Sequence, residues 1–325
     1  MTETSEQVLV RASNIVKHFR LKSPGIFGTS RGTVHALNDV SFEINAGETL
    51  AIVGESGCGK STLARVLTGL HEADSGQIRY ANETDGKSRQ QNIQMIFQDP
   101  YASLNPRLTI GDIIAEPLVI HKIGTPAERH SRIAETLESV SLHISDTQKY
   151  PHQFSGGQRQ RIAIARALIA EPELIIADEP LSALDVSIQS QILNLLMKLK
   201  TERNLTYLFI SHDLASVAHF ADRVIVMYLG EIVESGDCES IFSTPQHPYT
   251  QALISAAPVI GKGKRQKTSI IYGESASPLA PPRGCFYHPR CPKMADSCEI
   301  EKPSLDPIND QANTHLVACP ISLNH

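Results

Sequence analysis

One unbroken run carries the sharpest chemical signal in the chain: Gly54-Glu55-Ser56-Gly57-Cys58-Gly59-Lys60-Ser61-Thr62. It satisfies the spacing G-x-x-x-x-G-K-[ST], in which glycines let the backbone turn its N–H groups inward as a nest for an anion. A helix start after the loop adds partial positive charge at the same place. On this reading Lys60 reaches the β- and γ-phosphates of a nucleotide, and the Ser61 hydroxyl ligates Mg²⁺. Cys58 is filler in the loop, where a helix N-terminus could lower a thiol's pKa. A phosphate loop alone fits kinases, GTPases and many motors, so the rest of the chain has to decide.

Two further strand ends carry reactive groups. The apolar run Leu174-Ile175-Ile176-Ala177 ends in Asp178 and Glu179. Asp178 suits a Mg²⁺-associated carboxylate, and Glu179 suits polarisation of an attacking water. The run Tyr207 to Ile210 leads through Ser211 to His212. Taken singly, an apolar strand that ends in acids or a histidine is a common surface transition. In Phe154-Ser155-Gly156-Gly157-Gln158-Arg159-Gln160-Arg161, a serine and two glycines open a helix. That makes a second anion-accepting helix N-terminus about a hundred residues after the first.

The elements that must position these groups are read from periodicity. Strands are predicted at Thr49 to Val53, Asn92 to Phe97, Leu174 to Ala177 and Tyr207 to Ile210. Helices are predicted at Ser61 to Leu70, Ala127 to Val140, Gln158 to Ile169 and Ser187 to Lys200. Strands alternating with helices indicate an α/β fold whose mostly parallel sheet is covered on both faces.

At 325 residues the chain is about twice a typical domain, which predicts two domains, one of them dominant. A hydrophobic content of 41% supports a full core, and the net charge of −5 argues against generic nucleic-acid binding. No apolar run approaches the ~18 residues that a membrane-crossing helix needs, so the chain is not expected to be a channel. The opening MTETSEQ lacks the order of a secretory signal, which predicts a cytosolic location and reduced thiols.

Composition shifts from Pro258 onward, toward Pro, Gly, Ser and Lys, with a basic stretch at Lys262, Lys264, Arg265 and Lys267. A linker followed by a small, separately stabilised tail is the expectation. Four of the six cysteines, Cys285, Cys291, Cys298 and Cys319, lie in that tail among prolines. Four thiols with little core around them suggest a metal staple. Structural zinc usually shows a short C-x₂₋₄-C pair, absent here, while Cys₄ also suits a 4Fe–4S cluster, and the Cys-Pro steps resemble the ending of ferredoxin ligand runs. The cluster is the favoured reading. Zinc, with His288 or His315 joining, and free thiols stay open.

Taken together, these motifs and their order resemble the ATP-binding cassette (ABC) ATPases of transporters, over roughly residues 8–257. Gly54 to Thr62 matches Walker A, Gln98 the Q-loop, and Ser155, Gly156, Gly157 and Gln158 the signature. Asp178 and Glu179 match Walker B; Ser182, Ala183, Leu184 and Asp185 match the D-loop; His212 matches the switch histidine. Phe154 departs from the leucine often found before the signature serine, apolar for apolar. The resemblance implies a P-loop NTPase core with an antiparallel β subdomain and a helical subdomain at about 99–165.

It also implies a nucleotide-sandwich dimer, each ATP lying between Lys60 of one subunit and Ser155-Gly156-Gly157 of the other. Glu179 would be the general base and His212 a γ-phosphate contact. Ser61 and Gln98 would meet Mg²⁺, and Gln98 would report to the membrane subunits. Phe19 in VKHF is the expected adenine-stacking aromatic, with Phe27, in an inserted loop at Ser23 to Gly32, as the other possibility.

Asp99-Pro100-Tyr101-Ala102-Ser103-Leu104-Asn105-Pro106-Arg107 and His247-Pro248-Tyr249-Thr250-Gln251-Ala252-Leu253 resemble the oligopeptide/dipeptide importer branch, in its F-type ATPase subunit. Tyr101, Leu104 and Arg107 become candidate contacts for a coupling helix, and 258–325 resembles the branch's C-terminal extension, which in some members binds a 4Fe–4S cluster. The implied partners are a second ABC ATPase subunit in a heterodimer, two transmembrane permease subunits and an extracytoplasmic peptide-binding protein, with no nucleic acid. The implied location is peripheral, on the cytoplasmic face of the inner membrane. Related importers carry nickel or antimicrobial peptides. A soluble ABC ATPase would usually carry tandem cassettes or coiled-coil inserts, and a P-loop kinase would lack Ser155 to Gln158.

Overall fold

The computed structural model describes residues 7–22, 30–81, 92–256, 276–308 and 315–321. The chain runs β1 (Val8–Lys22), β2 (Ser30–Asn45), β3 (Thr49–Val53), α1 (Lys60–Leu67), β4 (Ser75–Tyr80) and β5 (Ile93–Ile96). There follow α2 (Pro100–Ser103), α3 (Ile110–Ile120), α4 (Pro126–Ser139), α5 (Gly156–Leu168), β6 (Leu174–Asp178), α6 (Val186–Arg203) and β7 (Thr206–Ile210). The last part comprises α7 (Leu214–Phe220), β8 (Arg223–Tyr228), β9 (Glu231–Asp237), α8 (Cys238–Ser243), α9 (Pro248–Ala256), α10 (Ser297–Ile300), β10 (Asp306–Pro307) and β11 (Leu316–Val317). Each predicted strand and helix is present, with ends moved by up to three residues. Phe27 and the basic stretch from Lys262 to Lys267 lie outside the described residues.

The chain divides into two compact units. One gathers Met1–Leu9, Asn45–Thr49 and Tyr80–Ile210. Its strands β5, β6 and β7 pair in parallel, Ile93 opposite Leu174 and Leu174 opposite Thr206. Every residue of β6 and β7 is buried, which explains their unbroken apolar runs. The region 99–165 is helical. Thr109 accepts from the Asp112 amide to start α3, and Thr125 with Glu128 forms a capping box on α4. Arg166 on α5 donates to the Ser103 carbonyl (2.7 Å) and Arg161 to Val140 (2.9 Å), which ties these helices to α5.

The other unit gathers Val10–Ile44, Leu50–Arg79 and Ser211–His325. It holds a three-stranded sheet in the order β2–β1–β4. It also holds β3 in parallel with β8, and antiparallel pairs β8–β9, β9–β11 and β11–β10. The described part of the cysteine tail therefore belongs to the same unit as the phosphate loop. Buried Glu234 on β9 fastens it: the carboxylate accepts from His315 Nε2 (2.7 Å), beside the register pair Val317 and Glu234.

Candidate functional site

The phosphate loop leaves the fully buried β3 and ends at α1. Gly54, Gly57 and Gly59 have φ of 153°, 82° and 108°, the left-handed region where a side chain is strained. Two of them are also pressed against backbone: a Cβ on Gly54 would lie 2.2 Å from the Met227 carbonyl oxygen, and one on Gly59 would lie 2.3 Å from that of Ala36. Ser56 and Gly57 form the exposed mouth. Lys60 is 5% exposed, and its Nζ donates to the carbonyls of Gly54 (2.8 Å) and Glu55 (2.9 Å). Those are bonds an arriving phosphate would replace. Burial pushes the Cys58 thiol up, only partly offset by Lys60, so Cys58 is a packed neutral thiol and not an activated one.

In the same unit, His212 is exposed just before Asp213, whose side chain caps α7 through the amides of Ala215 and Ser216. Phe19 is partly exposed, edge-on to His71 at 5.5 Å, with the Lys17 ammonium 5.5 Å from its ring centre.

The other unit carries the remaining motifs. Asp178 closes β6 and is buried. Glu179 follows with φ 47°, a left-handed residue that swings the chain off the strand. Its amide donates to the Ile210 carbonyl (2.9 Å), and its carboxylate accepts from Gln98 Nε2 at 2.8 Å. Gln98 and Glu179, eighty-one positions apart, thus form one hydrogen-bonded pair. The segment Ser182 to Asp185 is held by Gln189, whose amide donates to the carbonyls of Leu181 and Leu184, both at 3.0 Å.

The signature is a capping box. Ser155 Oγ accepts from the Gln158 amide (3.4 Å), and Gln158 Oε1 accepts from the Ser155 amide (3.0 Å). Gly156 and Gly157 form the first turn, which has no acidic residue. Gly157 sits against Ile188, where a Cβ would come to 2.6 Å, whereas at Gly156 the nearest atom would be Leu184 Cδ2 at 3.5 Å. Tyr101, 57% exposed, lies beside this turn with the Arg159 guanidinium 4.0 Å over its ring. Of the other two candidate coupling contacts, Leu104 is buried and Arg107 is exposed.

All four tail cysteines are described and are free thiols. Burial pushes Cys285 up to about 11, with smaller additions from Cys298, Cys319 and Cys291. Among the described residues no group of three or more His, Cys, Asp or Glu side chains is set to hold a metal ion. Neither expected histidine joins the cysteines: His288 Nδ1 is 2.9 Å from the Cys285 carbonyl, and His315 is spent on Glu234.

Sequence reasoning missed Tyr249 and Arg290, which bond the amide and the carboxylate of Glu55 in the loop, Tyr228, which bonds Arg290, and Gln189 behind the D-loop. The signal for Arg290 was weak but present, one of two arginines, with Arg283, inside the Cys-Pro text.

Comparison with known proteins places this geometry. Residues 37–182 match the ABC transporter family, and residues 233–298 match the oligopeptide/dipeptide transporter C-terminal region. The chain is 48% identical to the oligopeptide transport ATP-binding protein AppF of Bacillus subtilis, over 98% of this chain and 99% of that one. It is 46% identical to the dipeptide transport ATP-binding protein DppF of Escherichia coli, over 97% and 95%. Among solved structures, an ATP-binding cassette captured as a post-hydrolysis dimer with ADP and Pi matches with TM-score 0.61 and 31% identity, over 71% of this chain and 99% of that one. CbiO1 from Clostridium perfringens, part of an ABC transporter complex, matches with TM-score 0.61 and 28% identity, over 74% and 92%.

Proposed function

The chain belongs to the ABC transporter ATP-binding family, in its oligopeptide/dipeptide branch, and from that premise we propose that it is the ATP-hydrolysing subunit that energises import of di- and oligopeptides. The observation that carries this reading is a glycine-strained phosphate loop with buried Lys60, in a chain alike from end to end to peptide-transport ATPases.

In this reading ATP phosphates displace the loop carbonyls from Lys60, and the amides of the loop and of the α1 start receive them, the Glu55 amide being held instead by Tyr249 Oη, with Ser61 on Mg²⁺. Asp178, Ser61 and the Gln98 carbonyl oxygen are the oxygen donors such a hard cation takes, and the Gln98 amide nitrogen is already committed to Glu179. Glu179 polarises the attacking water as general base, and its bond to Gln98 supports a link between metal-side contacts and the base. His212 contacts the γ-phosphate. Phe19 stacks on adenine. Ser155, Gly156, Gly157 and Gln158 complete the partner subunit's ATP site, with Ser182 to Asp185 at the dimer seam. A related cassette was captured as a dimer with ADP and Pi, which supports the sandwich.

The proposed organisation is an ATPase domain at 8–257 and a C-terminal extension at 258–325. Partners are a different ABC ATPase subunit, two permease subunits and an extracytoplasmic peptide-binding protein, which put the chain peripherally on the cytoplasmic face of the inner membrane. Among the described residues no helix is long and apolar enough to cross a membrane, in keeping with membrane attachment through permeases.

Cys285, Cys291, Cys298 and Cys319 supply the four thiolates that a 4Fe–4S cluster takes, and the Cys-Pro steps favour it over zinc, although among the described residues no side-chain group is already set to hold a metal ion. The extension is therefore read as an iron–sulfur staple. Iron and acid-labile sulfide at about four each per chain, in anaerobically purified protein, would establish it. Protein without iron would remove it.

The function is tested on the detergent-purified complex with its permeases and binding protein. Di- or oligopeptides should raise ATP hydrolysis, and Lys60→Ala should abolish it. Stimulation by a nickel complex but by no peptide would overturn the substrate class.

A further inference from the structure

Glu55 brings a negative charge into a loop built to take an anion, yet its side chain is not left facing that anion. Both carboxylate oxygens accept from Arg290, Nη1 to Oε2 at 2.9 Å and Nη2 to Oε1 at 3.0 Å. This is the parallel fork by which arginine binds carboxylate most strongly. Arg290 lies 235 positions away, in the short turn His288–Arg290 between Cys285 and Cys291. Arg290 is 8% exposed, its Nη1 also donates to Tyr228 Oη (3.2 Å), and the rings of Tyr228 and Tyr287 stand 5.8 and 5.9 Å from its guanidinium carbon. Glu55 is gripped at two other atoms: its amide donates to Tyr249 Oη (2.8 Å), and its carbonyl accepts from Lys60 (2.9 Å). All these residues lie in one compact unit.

We propose that Arg290 is a positioning residue for nucleotide binding: it cancels the Glu55 charge and pins that carboxylate to the outer side of the loop, so that the phosphate-facing amides meet ATP without an opposing carboxylate. The proposal rests on the ATPase reading above. It makes the C-terminal extension part of the nucleotide site and not an appendage to it.

A plain structural staple and a charge compensator give opposite results in a double variant. If the pair only fastens the tail, Arg290→Ala and Glu55→Gln do equal harm and combining them repairs nothing. If Arg290 compensates charge, Arg290→Ala leaves a naked carboxylate beside the triphosphate, and removing that carboxylate restores binding.

The experiment is ATP-dependent hydrolysis by the assembled transporter complex. For Arg290→Ala the expected result is a rise of about tenfold in KM for ATP, with kcat within about twofold, an ordinary magnitude for coupling between distinct groups. Adding Glu55→Gln to Arg290→Ala should bring KM back to within about threefold of that of Glu55→Gln alone. Should the alanine variant not assemble, Arg290→Gln takes its place with the same expectation. Arg290→Lys, which loses the fork and holds its charge less readily when buried, should fall between wild type and Arg290→Ala. An unchanged KM on loss of the Arg290 charge, or no rescue by Glu55→Gln, overturns the proposal. Lys60→Ala is the control: if it abolishes hydrolysis while the Arg290 variants behave as wild type, only this proposal fails, and if it leaves hydrolysis intact, the ATPase reading itself fails.

Discussion

Gly156→Asp separates the stability of the signature helix from its chemistry. Gly156 is the first residue of α5, after the Ser155 cap, and an added Cβ there meets only Leu184 Cδ2 at 3.5 Å and Tyr101 Oη at 3.9 Å, ordinary contacts. The first turn has no acidic residue at present, so a carboxylate gains about 0.3–1 kcal/mol from the helix dipole, and loss of a glycine adds a little more. The protein should melt at the wild-type temperature or up to about 4 °C above it. ATP hydrolysis should move the other way. If this helix start faces the partner's nucleotide, the new carboxylate stands about 5 Å from a phosphate and opposes each unit of its charge by about 3 kcal/mol at an effective dielectric of about 20. That corresponds to at least a hundredfold loss of turnover. The assay pairs thermal unfolding of the full chain with phosphate release by a complex carrying the change in every cassette. Wild-type hydrolysis with a raised melting point would show that the signature does not face nucleotide. A lowered melting point would refute the packing argument instead.

Three other expectations follow from local geometry. Glu179→Gln keeps the shape and the contact to Gln98 but loses the base, so hydrolysis should fall by about 10²–10⁴ while ATP still binds and holds the dimer, as single-turnover assays and size analysis would show. Gly59→Ala must place a Cβ 2.3 Å from the Ala36 carbonyl at φ 108°, which should cost about 2–4 kcal/mol and lower the melting temperature by roughly 5–10 °C in calorimetry. His247 is wholly buried, and burial lowers its pKa from 6.5 to about 4, against a smaller opposing pull from Glu234. Between those values the unfolded chain binds a proton that the folded chain refuses, so stability rises with pH there and is lost as pH falls from about 6.5 toward 4. The loss is about 3 kcal/mol, and His247→Gln should flatten that slope in denaturant titrations at stepped pH.

The parts of the fold that were legible in the sequence are those in which period and burial agree. Strands β3, β6 and β7 are buried at every residue and read as plain apolar runs. The long strands β1 and β2 were not read individually. Asn14 and Asp39 sit inside them with φ of 52° and 64°, and a left-handed residue resets the two-residue alternation on which a strand reading depends. In β8–β9 the register shifts between Val226 and Met227, to the same effect. The phosphate loop and the signature were legible because backbone amides do their chemistry, so the residue types that permit the backbone path are consecutive. Arg290 was not, because it reaches a carboxylate 235 positions away that only the fold brings near, and Gln189 was not, because its bonds go to backbone carbonyls, which carry no residue type.

The manner in which the loop is held explains why a distant tail residue matters to it. Gly54 and Gly59 are squeezed against the Met227 and Ala36 carbonyls, so the loop's ends have no room for side chains by which the surroundings could grip them. Its exposed middle, Ser56 and Gly57, has to stay open for phosphate. Cys58 is buried but short and neutral, and Lys60 must release its two carbonyls when ATP arrives. Glu55 is the remaining long side chain in the strained stretch between Gly54 and Gly59, and therefore the handle by which the protein can set that stretch without obstructing it. A handle that is anionic requires a cation that stays charged when buried, which arginine does and lysine does less readily. The tyrosines around Arg290, with Tyr249 Oη also taking the Glu55 amide, leave that grip little room to slip. Ordering the extension and ordering the phosphate loop are in this sense one event, and damage to the Cys285–Cys291 turn should reach ATP through Arg290.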